Sequence, residues 1–258
     1  MYYENKTISL IFGDGNESHV GMEKLGKISE NGFTVLDLKK TKGIFKSLGC
    51  KCKLYKLHKL LLEENIDMDI PKAYILPIKN AASVLIGNFT LEELFNENLN
   101  LEYDKKALMY GRVVNKNCRH CLCFGDNKEE PEYEKGKGII ESYENIPIVK
   151  LIKENLEKYV VNSGELVGGS NFYYDIKKTG ISYHGDGERK KVIILRLGEN
   201  LPLHLNWFFK SEKIGKHFEL NLKNGDMYLL CDKAIGNDWK KKNILTLRHA
   251  TGCDKYIK

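Results

Sequence analysis

The stretch Gly180-Ile181-Ser182-Tyr183-His184-Gly185-Asp186-Gly187-Glu188 decides how this chain is read. Its first residues suit a short strand, and the two glycines that follow mark its end. His184 and Asp186 stand two residues apart, so an extended backbone presents both on one side. An imidazole and a carboxylate placed in this way can take adjacent positions on a metal ion. A third ligand from a distant strand would complete a facial set that leaves coordination positions open. Alone, His-x-Asp is most often a surface pair. Its weight comes from the flanking sequence.

Outward from this stretch, short apolar runs read as strands at residues 171–176, 181–183, 191–197, 203–209, 217–222, 226–231 and 243–249. Gly198-Glu199-Asn200, Lys223-Asn224-Gly225 and Gly236-Asn237 punctuate them. Upstream, residues 146–160 carry apolar side chains at Ile148, Leu151, Ile152, Leu156 and Val160, with Pro147 in the first turn, and predict a helix. Short strands at this spacing suggest a sandwich or jelly roll, and with the helix they predict an α+β core. Residues 1–109 read as a small α/β unit of unassigned role. It has a strand-like Thr7–Phe12 run, helical spacing over 53–62 and a second helix over 91–101. Gly13-Asp14-Gly15 is a turn, because the Lys-Ser/Thr of a phosphate loop does not follow.

Lys and Arg outnumber Asp and Glu by 41 to 35, a net charge of +6 that permits an anionic partner without requiring one. No run of about 18 apolar residues predicts a membrane span. The start lacks the basic-then-apolar pattern of a signal peptide. With seven cysteines, an odd number, this predicts reduced thiols in an intracellular (cytoplasmic or nuclear) protein.

Several short motifs, taken in order, resemble those of the AlkB-like Fe(II)/2-oxoglutarate dioxygenases. Asn171-Phe172-Tyr173 precedes His184-Gly185-Asp186-Gly187-Glu188, then Val192–Gly198, Gly225-Asp226, and Leu245-Thr246-Leu247-Arg248. Arg119-His120-Cys121-Leu122-Cys123-Phe124-Gly125-Asp126 resembles the family's Arg-x4-[Tyr/Phe]-Gly-Asp segment, part of a lid over the target nucleotide. The resemblance spans about residues 111–252. It implies a double-stranded β-helix (jelly-roll) core over residues 110–258, with flanking helices and residues 1–109 as an N-terminal α/β extension packed outside it. It also implies Fe(II) held by His184 and Asp186, with 2-oxoglutarate as cosubstrate reached by Asn171, Tyr173, Thr246 and Arg248. Lys242, on the face of Arg248 by alternation, is a candidate salt bridge to the distal carboxylate or else part of a solvated lysine run. Arg119, Phe124 and Glu188 would contact a flipped base.

The chain departs from the family at the third iron ligand, a histidine expected between Gly225-Asp226 and Arg248. That interval holds only Cys231, Asp232 and Asp238 as ligand-type side chains. If Arg248 faces the cavity, alternation turns the adjacent His249 away and favours Asp238, ten residues earlier. A bulge near Ala250 would instead bring His249 in. His204 reads as a core histidine and His217 as a strand-edge residue. Cys118, Cys121 and Cys123, with Cys50, Cys52 and His120, form a rival zinc set. The expected activity is oxidative dealkylation or hydroxylation of a nucleic-acid base. The alternatives are a protein side-chain hydroxylase and a non-catalytic nucleic-acid-binding module.

Overall fold

A computed structural model describes residues 3–62 and 68–258. Met1 and Tyr2, the first residues of the stretch read for a signal sequence, lie outside them. Twelve strands position the site. They are β1 (Thr7–Gly13), β2 (Lys51–Cys52), β3 (Tyr74–Lys79), β4 (His120–Gly125), β5 (Ile140–Ser142), β6 (Val167–Tyr173), β7 (Gly180–His184), β8 (Val192–Gly198), β9 (Leu203–Phe209), β10 (Glu212–Leu220), β11 (Met227–Leu230) and β12 (Thr246–Gly252). They form a large sheet in the order β5-β4-β6-β1-β8-β11-β3-β2 and a four-stranded sheet in the order β7-β12-β9-β10. The result is a mixed α/β protein, mostly sheet, in keeping with a sandwich of two sheets.

Three helices cover the large sheet: α1 (Val35–Ser47), α2 (Leu91–Leu99) and α3 (Pro147–Tyr159). Thr34 with Asp37 and Thr90 with Glu93 form capping boxes that satisfy the first amides of α1 and α2. Pro147 opens α3, where its missing N–H costs nothing. The Glu97 carboxylate of α2 accepts from the Ile148 and Val149 amides, so one helix caps the next. Residues 53–62 are not a helix. Tyr55–Lys56 pairs with β3, and Leu57–Leu61 forms one 3-10 turn whose Leu57 and Leu61 reach the core.

The placement of β1 corrects the expectation of an external N-terminal unit. β1 lies between β6 and β8, antiparallel to both, with seven paired positions on each side. Its sequence has the two-faced pattern this slot needs. Ile8, Leu10 and Phe12 are fully buried with Ile193, Leu195 and Leu197 of β8, in one apolar cluster with Leu38, Phe45, Phe95, Ile152 and Leu156 of the helices. Ser9 points the other way, in one cross-strand row with Arg196 of β8, Asn171 of β6 and Cys121 of β4. β3, at residues 74–79, belongs to the same sheet, so no boundary near residue 109 divides the core.

The small sheet turns Leu203, Leu205, Trp207 and Leu247 inward to the same cluster, and the Trp207 indole N–H donates to the Leu57 carbonyl at 2.9 Å. Observed strands match the predicted ones to within a few residues. The consequential shift is at the end, where β12 runs through residue 252 rather than stopping at 249. We predict that removing residues 3–14 prevents cooperative folding, because it strips both neighbours of their ladder. Leu10→Ala should cost about 2–5 kcal/mol in urea denaturation. An external extension would tolerate both changes.

Candidate metal centre

His184 closes β7 and pairs with His249 of β12, which in turn pairs with Leu205 of β9. Leu205 is wholly buried, so this row faces the interior. The β7–β12 register slips between Ile181 and His184, a bulge that re-aims the strand end. Gly185 then packs its Cα against the backbone of Gly236, where any Cβ would lie 2.0 Å from the Gly236 carbonyl oxygen. The loop is held on this contact. The Asp186 amide donates to the Ile235 carbonyl at 3.1 Å, and the Asn237 amide group donates to the Asp186 carbonyl at 2.6 Å and also to that of Arg189.

These supports bring His184, Asp186 and His249 together, with their ligand atoms within 4.8 Å of one another. The Asp186 Oδ1 lies 3.6 Å from the His184 Nε2 and 3.4 Å from the His249 Nε2. Ligands about 2 Å from one ion and at right angles stand roughly 3 Å apart, so small adjustments suit these groups to a transition metal. The His184 Nδ1 lies 2.8 Å from the Ser182 carbonyl and 3.1 Å from that of His249. It therefore carries the proton and leaves Nε2 bare toward Asp186. Burial, then the neighbouring His249, push the His184 imidazole down to about 3, so it is a neutral ligand at ordinary pH. Burial alone would raise Asp186, but His249, Arg189 and His184 outweigh it and hold the carboxyl well below its usual range. The group is a two-histidine, one-carboxylate set able to hold a metal ion.

Asp238, the favoured third ligand in the sequence reading, is not part of it. Its carboxylate pairs with Lys233, which also donates to the Leu245 carbonyl. The error came from assuming that Arg248 faces the cavity. Arg248 pairs with Asn206 and lies on the outer face of the small sheet, its guanidinium 4.2 Å from the Phe208 ring centroid and 5.5 Å from that of Trp239. Alternation turns His249 inward in consequence. Thr246 shares the outer face with Arg248, and Lys242 is exposed ahead of the strand, so neither reaches the centre. Phe124 is buried beside Tyr143 on the apolar face of β4 rather than forming a lid. Glu188 is bonded to Arg189, whose guanidinium also reaches Asp186 at 3.6 Å and Asn16 at 3.1 Å.

Asn171, Tyr173 and Arg119 do lie on the interior side. Tyr173 is 2% exposed, and its phenol is held above the ordinary range by burial, against the opposing charges of Arg119 and Arg196. Both Arg119 and Tyr173 sense the Asp186 charge. The residue that sequence reasoning missed is Arg196. It is 1% exposed, its Nη1 donates to Ser9 Oγ at 2.6 Å, and its Nε is buried without a partner. The Arg119 Nε is likewise buried and unpartnered. Among the described residues no carboxylate faces the Arg196 guanidinium, and a buried cation left in this way favours an anion beside it. The signal was legible, since Arg196 is the single charge inside Val192-Ile193-Ile194-Leu195-Arg196-Leu197.

The rival zinc set does not assemble. β4, with Cys121 and Cys123, and β2, with Cys52, lie toward opposite ends of the large sheet, and no cysteine joins a metal-competent group among the described residues. Burial pushes the Cys123 thiol up to about 12.

No family model matches the chain. Over 253 residues it is 44% identical to "Uncharacterized protein R156" of Acanthamoeba polyphaga mimivirus, an alignment that covers 98% of each chain. No helix among the described residues is long and apolar enough to cross a membrane.

His249→Ala should remove Fe(II) uptake at this centre, read by calorimetry as the loss of one equivalent, whereas Asp238→Ala should leave it within about twofold, because it breaks only a partly exposed ion pair. Gly185→Ala should weaken uptake without unfolding the chain, by displacing Asp186 from Gly236. On brief alkylation of the folded protein, mass spectrometry should find exposed Cys118 modified and Cys123 untouched.

Proposed function

We propose that this chain, which belongs to one family with the mimivirus protein R156, is an Fe(II)- and 2-oxoglutarate-dependent oxygenase. One observation carries the reading. Half-buried His184 and Asp186 and buried His249 share a polar interior with the buried Arg196, which has no carboxylate partner among the described residues. A facial triad leaves coordination positions open for a bidentate oxoacid, and Arg196 offers the cation that its remote carboxylate requires. Chain order supports the double-stranded β-helix implied by the resemblance. From β6 to β12 the chain alternates between the large and small sheets, except at the β9–β10 hairpin, which stays within the small one. The slot between β6 and β8, which a further C-terminal strand would fill, is taken by β1.

Bound there, iron and 2-oxoglutarate would supply oxidation of a C–H bond by O2, one oxygen atom going to the substrate and the other to succinate as the cosubstrate loses CO2. The protein's own groups have separable tasks. His184 and His249 would offer ring nitrogens, and Asp186 stays ionised because the surroundings, with Arg189 among them, favour its charged form. Arg196 and Ser9 would grip the distal carboxylate with charge-assisted bonds, and Asn171 and Tyr173 lie on the same side of the sheet to orient it. Arg196 thus takes the task that the sequence comparison gave to Arg248. Tyr228, buried beside Arg196 and Tyr173, would exclude water.

We further propose a nucleic-acid base as the substrate, supported by the AlkB-like motif order and the net charge of +6. Arg119 borders the centre, and Glu17 and Glu188 share charge with Arg189 beside it. Succinate release stimulated by methylated single-stranded DNA or RNA would support this substrate class. Release stimulated only by peptides would replace it with side-chain hydroxylation.

The oxygenase reading predicts a metal-to-ligand charge-transfer band when 2-oxoglutarate is added anaerobically to the Fe(II)-loaded protein. Arg196→Met should weaken 2-oxoglutarate binding by about tenfold to a hundredfold, the worth of a charge-assisted pair, while Fe(II) uptake persists. Its melting temperature without ligands should not fall, since a buried unpaired cation opposes folding. Arg248→Met should leave 2-oxoglutarate affinity unchanged. Equal affinity in parent and Arg196→Met would remove Arg196 from the site.

A further inference from the structure

On the outer face of the small sheet, opposite the centre just described, a second group of ligand-type side chains converges. His204 of β9 and Glu219 of β10 are cross-strand partners, and His217 precedes Glu219 by two residues on the same face. The ligand atoms of His204, His217 and Glu219 all lie within 4.8 Å of one another. The His204 Nδ1 is 3.0 Å from the His217 Nε2 and 3.9 Å from the Glu219 Oε2. His204 pairs with Ala250 while its neighbour Leu205 pairs with His249, so the two groups occupy opposite faces. They share no residue.

The tautomers follow from the surrounding bonds. The Asn206 amide group donates through Nδ2 to the Ile214 carbonyl, which orients its Oδ1 as the acceptor for His217 Nδ1–H at 2.9 Å. His217 therefore presents a bare Nε2, held in orientation as a metal-ligating imidazole is by its outer partner. The His204 Nδ1 aims at that same lone pair. Glu219 is steadied by Asn221, whose amide donates to Oε1 at 3.2 Å and leaves Oε2 toward His204. Tetrahedral ligands about 2.0–2.1 Å from zinc stand roughly 3.3–3.4 Å apart, so both measured separations need change by only about half an ångström. Burial, the paired imidazole and the Lys213 charge hold His204 below its ordinary value, and burial with Lys213 does the same for His217, so both rings are in the ligand form. Lys213 itself is drawn aside over the Tyr183 ring, 4.3 Å from its centroid.

We propose that His204, His217 and Glu219 form a second cation site, for a borderline divalent ion of the zinc type, that clips β9 to β10. Without the ion, the His204 Nδ1 proton bridges to the His217 Nε2. With it, that proton moves to the Nε2 of His204, and both facing nitrogens donate lone pairs to the metal. Two histidines and a carboxylate with an open fourth position match zinc better than calcium or magnesium, which prefer oxygen ligands.

Co(II) is the probe. In the full chain carrying His249→Ala, which removes the interior ligand set, Co(II) should produce the intense visible d–d bands of a four-coordinate ion at one equivalent. Zn(II) should displace it and raise the melting temperature. Adding His217→Gln, at an exposed position, should remove both effects. If His249→Ala does not fold, the stoichiometry of the parent chain decides: two equivalents, falling to one in His217→Gln. The proposal is overturned by a His249→Ala chain that takes up no Co(II), by uptake indifferent to His217→Gln, or by a parent chain that binds one equivalent and keeps it in His217→Gln. None of these readouts depends on oxygenase activity.

Discussion

The backbone ladder of β1 is the constraint on which the rest of this molecule depends. A strand from the start of the chain closes the sheet between two strands from its second half, and every side chain on it must suit one of two opposed environments. Ile8, Leu10 and Phe12 are sealed under the helices. Ser9 meets Arg196 on the other side. A slip of one residue would exchange these faces, burying a hydroxyl in the apolar cluster and leaving the guanidinium against a leucine. The register of β1 and the chemistry of the interior are therefore one problem. Such pairing between sequence-distant strands also makes for high contact order, so the ladder carries a large loop-closure cost that burial of its apolar face must offset.

The interior polar groups are costly unless each is answered. Asp186 is answered by two imidazoles and Arg189, and His184 by two backbone carbonyls. Arg196 is answered only in part, by one serine hydroxyl, with a nitrogen left over. Unsatisfied buried donors are rare in folded proteins, and they concentrate where an absent ligand completes the set. The carboxylate is compensated and the guanidinium is not, and on that asymmetry the proposed oxoacid site rests.

The small sheet works on both sides. Its inward rows carry His184 and His249, and its outward rows carry Arg248, His204, Asn206, His217 and Glu219. Period-two alternation lets adjacent residues such as Arg248 and His249, or His204 and Leu205, serve unrelated environments. That economy also made the site hard to read. A one-residue assumption about the facing of Arg248 was enough to exchange His249 for Asp238.

Local pattern was sufficient for much of this protein. The strands from 167 to 252, the helix at 147–159 and the pairing of His184 with Asp186 on one side of a strand all follow from short-range periodicity and turn residues, which depend on neighbours a few positions away. Helix caps at Thr34 and Thr90 are local in the same sense. What the tertiary structure alone decided was long-range. It set which strand fills the gap between β6 and β8, that the sequence around residue 109 is no boundary, that His249 rather than Asp238 completes the metal set, and that Arg196 rather than Arg248 lies inside. The physical reason is common to all four. A strand's sequence tells which residues share a face, but not which face looks inward, because that depends on partners far along the chain, 44 residues away for His249 and Leu205 and 187 for Ser9 and Arg196, whose hydrogen bonds fix the register.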